Sequence, residues 1–226
     1  MVEPELNAKA EEYLKAIYKL QRSKEAAPVG LTAIAQRMGV SAPAVTSMVK
    51  RLAALGLLQR VAYRGIALTS TGQRIALRLI RHHRLMERYM VDAMGFGWDE
   101  VDEQADRLEH VISENFADRL EAVLGYPRTC PHGDPIPSKD GTLPELHLIA
   151  VTELRHAQNG PFRRVGVTDP PVLRYLARLG FKQGVPVTFL ESAPFQGPVR
   201  LKVGEAEISL GAELASQIYV ENPAAS

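Results

Sequence analysis

Apolar residues recur at spacings of three and four through residues 5–22, where Leu6, Ala10, Tyr13, Leu14, Ile17 and Leu20 share one side. That period predicts an amphipathic helix. Ala26, Ala27, Pro28, Val29 and Gly30 break it, and Leu31, Ile34, Ala35 and Met38 restart the pattern. Gly39, Val40 and Ser41 read as a turn. Ser41 is a suitable N-cap for a further helix, and Pro43 falls in its first turn, where a missing N–H is harmless. Val45, Met48, Val49, Leu52 and Leu55 form that helix's buried stripe, and Gly56 stops it. Residues 57–69 read as two short strands around Tyr63, Arg64 and Gly65.

A long helix is predicted from near Thr71 to Met94, ended by Gly95, Phe96 and Gly97. Another opens at Trp98 and Asp99 and is expected to run unbroken to Gly125. Prolines 127, 131, 135, 137 and 144 make residues 127–146 an extended arm rather than a helix. Residues 147–221 carry six short β-type runs and one helix over residues 171–179, which suggests a small barrel.

The 226 residues are 46% hydrophobic and 23% charged, the balance of a folded chain of two or three domains rather than a disordered one. No run of about 18 apolar residues is present to span a membrane. The acidic N-terminus carries no apolar signal region, so a cytoplasmic location is expected. A single cysteine, Cys130, excludes an internal disulfide framework and a cysteine-cluster zinc module. The net charge of +1 hides an asymmetry. Residues 1–90 hold fifteen Lys and Arg against six Asp and Glu, a net of +9. Residues 91–140 hold four against twelve, a net of −8, and the remainder balances. The first block suits a polyanion and the second a cation.

The helix, glycine-centred turn, second helix and two-stranded wing make a winged helix-turn-helix, whose second helix fits the major groove. Its outward positions are Ser41, Ala42, Pro43, Ala44, Thr46, Ser47, Lys50 and Arg51. Lys50 and Arg51 suit phosphate or guanine, Thr46 and Ser47 can bond bases or phosphates, and the alanine methyls can touch thymine. Arg60 and Arg64 on the wing reach adjacent phosphates. Winged helices also serve as protein-interaction modules, but the local charge favours double-stranded DNA.

His83 and Glu87 stand four apart on one helix face. Asp102, Asp106, Glu109 and His110 fall within an arc of roughly 80° on the next helix if that helix is continuous. Three carboxylates on so narrow a face repel unless a cation lies there; the competing reading is a solvated acidic face. Oxygen and imidazole donors without thiolate favour Mn(II) or Fe(II). Glu12 or Glu11 could add a further oxygen. His82, about 100° round from His83, is expected to face solvent or to support a ligand, and His132, His147, His156 and Cys130 read as structural.

At this point the chain resembles the diphtheria toxin repressor family, the metal-dependent repressors that include the manganese transport regulators. The marks are AEEYLKAIYKL, LTAIAQRMGVSAPAVTSMVKRLAALGLL, LTSTGQRIA, HHRLMERYM, DEVDEQADRLEHVIS and CPHGDPIP, in order over nearly the whole length. The resemblance implies a mainly α fold with a β-barrel. Its parts would be a winged helix-turn-helix over residues 1–74, a helical dimerisation and metal domain over 75–140, and an SH3-like (FeoA-like) domain over 141–226. It also implies a homodimer bound to a palindromic operator when metal is present. Carried over residue by residue, one metal site comprises Glu12, Asp106, Glu109 and His110, and a second comprises His83, Glu87 and Asp102. Glu12 and Asp106 stand where the iron-sensing branch has Met and Cys, so the ligand set resembles the manganese branch. Asp102 replaces a histidine of the iron branch. Asp169 could replace a third-domain Glu ligand, whereas Val172 cannot replace the Gln.

The expected function is a metal-activated transcriptional regulator, Mn(II) favoured over Fe(II), repressing metal-uptake genes. The alternatives are an iron-dependent regulator of the same family and a winged-helix regulator controlled by an organic ligand. A metalloenzyme is disfavoured, since no nucleophile or phosphate loop accompanies the acidic cluster.

Overall fold

The computed structural model describes residues 6–22, 28–62 and 64–224. Tyr63 and most of the break after the first helix lie outside the described residues. The chain divides into two compact units. The first takes in residues up to His83 together with Glu109–Ile112 and Pro137–Thr142; the second takes in Arg84–Leu108, Ser113–Ile136 and the chain from Leu143 on.

The first unit is built from α1 (Ala8–Arg22), α2 (Leu31–Met38), α3 (Ala42–Ala54), β1 (Leu58–Val61), β2 (Gly65–Leu68) and the first half of α4 (Ser70–Met94). Asn7 starts α1 by accepting the Ala10 N–H at 3.0 Å. Ala10, Tyr13, Leu14 and Ile17 then bury one helix face against Ile34, Val45, Val49, Leu52, Leu57, Ile66 and Ile75. The apolar period of the sequence is thus the core period. Ser41 has the extended backbone of an N-cap, but its hydroxyl makes no capping bond, so Pro43 and the apolar stripe set the start of α3. The wing strands pair antiparallel from Leu58↔Leu68 to Val61↔Gly65, and Val29 bridges Ile66 on the far side of β2. A Cβ at residue 65 would stand 2.3 Å from the Val29 carbonyl oxygen, and φ is +120°, so this approach requires glycine.

The second unit holds the rest of α4, α5 (Val101–Leu108), α6 (Glu114–Val123), the proline-rich arm outside Pro137–Thr142, strands β3 (Leu148–Ala150), β4 (Asn159–Val165), β5 (Pro186–Ser192), β6 (Val199–Val203), β7 (Ala206–Leu210) and β8 (Ile218–Glu221), and helices α7 (Pro170–Arg178) and α8 (Ala212–Ala215). Two expectations change here. The helix expected over residues 98–125 is two helices, because Ser113 caps a new one by accepting the Phe116 N–H at 3.2 Å. The barrel is met only as a six-stranded sheet of order β3-β8-β4-β5-β6-β7. Its named pairings are all antiparallel, and no pairing of β3 with β7 closes it among the described residues. Phe162, Phe181, Val187, Leu201, Ile218 and Val220 fill its core with Leu173 and Leu176 of α7. Among the described residues no helix is long and apolar enough to cross a membrane.

Candidate metal clusters and nucleic-acid interface

The outer face of α3 presents what its sequence promised. Ser41, Ala42, Pro43, Ser47, Lys50 and Arg51 are exposed, and Ala44 and Thr46 are half-buried. The Thr46 hydroxyl donates to the Ala42 carbonyl at 2.9 Å, which leaves its lone pairs available to a donor on DNA. Arg60 on β1 and Arg64 beside the wing turn are exposed.

The first cluster lies within the first unit, where the Glu109–Ile112 turn meets α1. Because α5 ends at Leu108, Glu109 and His110 leave in a turn instead of continuing a helical face. The Glu109 carbonyl lies 3.3 Å from His82 Nδ1. That gives the helix end a partner which continuing turns would otherwise supply. The Glu109 carboxylate is almost fully buried between His83 Nδ1, at 2.6 Å, and the Lys15 ammonium, at 2.5 Å. Burial pushes this acid upward, but His83 and Lys15 together outweigh it and hold it below the usual carboxylate range. His110 lies between Glu11 Oε2, 2.8 Å from Nδ1, and Glu12 Oε1, 2.9 Å from Nε2. Donor atoms of Glu12, Glu109 and His110 all fall within 4.8 Å of one another.

A second cluster lies within the second unit: Glu87, Cys130 and His132, all buried, with donor atoms within 4.8 Å of one another. His132 Nε2 is 2.7 Å from the Trp98 carbonyl, which can only accept, so that nitrogen carries a proton. Nδ1 therefore faces Glu87 Oε1, at 3.1 Å. Burial would lower the imidazole, but the Glu87 hydrogen bond and charge win and raise it. Burial, reinforced by the Glu87 and Asp134 carboxylates, pushes the Cys130 thiol well up. The loop carrying these donors is pinned from β4 and beyond. The Val165 N–H donates to the His132 carbonyl at 2.9 Å, Gln183 donates to the Pro131 carbonyl at 3.0 Å, and Arg164 pairs with Asp134 at 2.7 Å. Trp98 stacks on His132 and meets Phe162 edge-on. At Gly133, with φ at +89°, a Cβ would stand 1.9 Å from the Arg163 carbonyl oxygen.

Of the residues singled out from sequence, Glu12, Glu109 and His110 are thus gathered, with His83 engaged by Glu109. Glu87 is buried one turn along α4 from His83 and has Cys130 and His132 around it. Asp102 and Asp106 sit on α5 in the second unit, half-buried and exposed respectively, and the charge of Asp102 acts on His132. Asp169 stands exposed at the start of α7 and joins no donor group of its unit among the described residues. Sequence reasoning missed Lys15, Cys130 and His132. Only the two-residue spacing of a thiol and an imidazole in CPHG could have flagged the latter pair.

Three family models match in succession: the N-terminal DNA binding domain of iron dependent repressors over residues 5–66, their metal binding and dimerisation domain over residues 69–138, and the FeoA domain over residues 149–222. The chain is 33% identical to the iron-dependent repressor IdeR of Mycobacterium tuberculosis over 238 residues, covering 96% of this chain and 98% of that protein. It is similar to a solved manganese-dependent transcriptional repressor in complex with manganese, with a TM-score of 0.83 and 34% identity over 93% of this chain and 98% of the other. It is similar also to ScaR with bound Zn2+, with a TM-score of 0.77 and 38% identity over 94% and 99%. The chain therefore belongs to the iron-dependent, or diphtheria toxin, repressor family: metal-dependent DNA-binding transcriptional repressors rather than enzymes, here ending in a FeoA domain.

Proposed function

We propose that this protein is a homodimeric repressor that binds a palindromic operator when Mn(II), in preference to Fe(II), occupies the first cluster. The observation that carries the reading is the meeting of Glu12 from α1 with Glu109 and His110 from the turn after α5. Without a metal, the Glu12 and Glu109 carboxylates that face His110 are held together by the Lys15 ammonium and by hydrogen bonds to the His83 and His110 imidazoles. A bound divalent ion supplies the counter-charge and fixes α1, the first helix of the DNA-binding fold, to the 109–112 turn. The equilibrium between loose and fixed arrangements is then what metal biases. Oxygen and imidazole donors support Mn(II), and the likeness to a manganese-dependent repressor agrees with it. Asp106 is the further oxygen donor that the resemblance implies.

Glu87, Cys130 and His132 are a further metal position in this reading, beside the set His83, Glu87 and Asp102 that the resemblance implies. Their thiol favours an iron-dependent regulator more than the first cluster does, because sulfur suits Fe(II) or Zn(II) better than Mn(II). The three-part division at residues 74 and 140 follows from the same reading, with α3 in the major groove and Arg60 and Arg64 on flanking phosphates.

The test is operator binding by the full chain in metal-buffered solution. Mn(II) should tighten it strongly, and Glu109→Ala or His110→Ala should remove the stimulation while the protein stays dimeric. Equal operator affinity with and without metal would end the proposal.

A further inference from the structure

A lysine is rarely buried unless something demands its charge. Lys15 is 5% exposed, yet it lies on the side of α1 that carries Glu11 and Glu12, about 100° or more round from the apolar stripe of Ala10, Tyr13, Leu14 and Ile17. Its ammonium stands 2.5 Å from Glu109 Oε1 and 3.4 Å from Glu12 Oε1. Those same two oxygens face His110 Nε2, at 3.7 and 2.9 Å. The ammonium is therefore bound to the very atoms a divalent ion would take as ligands.

We propose that Lys15 is the resident counter-cation of the first cluster and the residue that sets how much metal is needed to fill it: the ammonium and a divalent ion are alternative occupants. The inference rests on the metal reading above and extends it to regulation. Glu12, Glu109 and the Lys15 ammonium leave a charge of −1, and the neighbouring Glu11–Arg78 pair adds nothing to it. A divalent ion added beside the ammonium would make it +1, with like charges close together where solvent screens poorly. A divalent ion in its place makes it zero. Lysine suits this task because its charge is compact and its four-carbon stem can withdraw, whereas an arginine fork would hold a carboxylate in two places at once.

The experiment is a titration of the full chain with Mn(II) alone, following the free ion by electron paramagnetic resonance. A Glu87→Gln background silences the second cluster. Lys15→Met, of similar length without the charge, should tighten Mn(II) binding by about tenfold or more, since the competitor is gone. Its metal-free form should melt lower, with the loss recovered on adding Mn(II). Lys15→Arg keeps a cation on the carboxylates and should not tighten binding. Lys15→Gln is the second neutral variant, held to the same criterion if Lys15→Met does not fold without metal. Unchanged or weaker Mn(II) binding in the neutral variants overturns the proposal, for Lys15 would then be a support that metal needs in place. If the parent and its Glu109→Ala form titrate alike, no metal binds this cluster and the functional reading itself falls.

Discussion

In the first cluster three carboxylates, Glu11, Glu12 and Glu109, outnumber the two fixed cations, Lys15 and Arg78, by one, with the imidazoles of His83 and His110 beside them. In the second cluster one carboxylate, Glu87, meets one imidazole and a thiol that burial keeps protonated. The first is partly open, with 32% of the Glu12 side chain exposed, while every donor of the second is buried. The first hangs on a helix and a turn; the second joins α4 to a loop held by a main-chain bond from Val165 and by the side chains of Arg164 and Gln183. Donor types alone thus do not define a metal position. A cluster with surplus charge selects for a cation and is prone to rearrange around it. A nearly neutral, pinned cluster must lose a thiol proton before it can bind one, and it favours a softer ion.

The largest effect that would break this contrast is at Glu109. Glu109→Ala takes from the buried Lys15 ammonium its nearer carboxylate, leaving Glu12 at 3.4 Å, and chemical denaturation should show a loss of about 3 kcal/mol in the metal-free protein. A loss near zero would mean that the cluster is solvated and not charge-balanced. Gly133→Ala comes next, because the added Cβ collides with the Arg163 carbonyl. It should cost about 1–3 kcal/mol and loosen the 130–133 loop. Zn(II) retention by the second cluster should fall while Mn(II) binding to the first is kept, which equilibrium dialysis of both ions would separate. Cys130→Ser should lower Zn(II) affinity of the second cluster by roughly 10–100-fold, of the order seen when a metal site loses a key interaction, and reduce its preference for Zn(II) over Mn(II). A preference unchanged in calorimetric titration would remove sulfur from that site. Smaller still is Lys50→Ala, which should weaken operator binding and reduce the salt slope by about one, measured by anisotropy against salt. The smallest is Trp98→Phe, which keeps the main-chain acceptor of His132 and loses only part of the stacking, about 0.5–1.5 kcal/mol in a thermal melt. Trp98 is the one tryptophan of the chain. Its fluorescence in the parent should respond to filling of the second cluster and hardly to filling of the first.

The apolar periods alone located α1 to α4, the wing and the six strands, because core faces repeat with the pitch of the element that carries them. The exposed side of α3 was equally legible, since its positions are those the buried stripe leaves over. The interruption after Leu108 was not: the pattern of residues 98–125 is helical throughout, and only the cap at Ser113 and the partners of Glu109 break it.

Residue types and order therefore determined the elements, the basic reading head and the existence of an acidic, histidine-bearing segment. Tertiary structure decided the grouping: that Lys15 faces Glu109, and that Glu87 turns to Cys130 and His132. The reason is physical. Periodicity reports which side of an element is dry, but the partner of a buried charge is chosen by whichever distant groups the fold brings within a few ångströms, and sequence spacing carries no record of that distance.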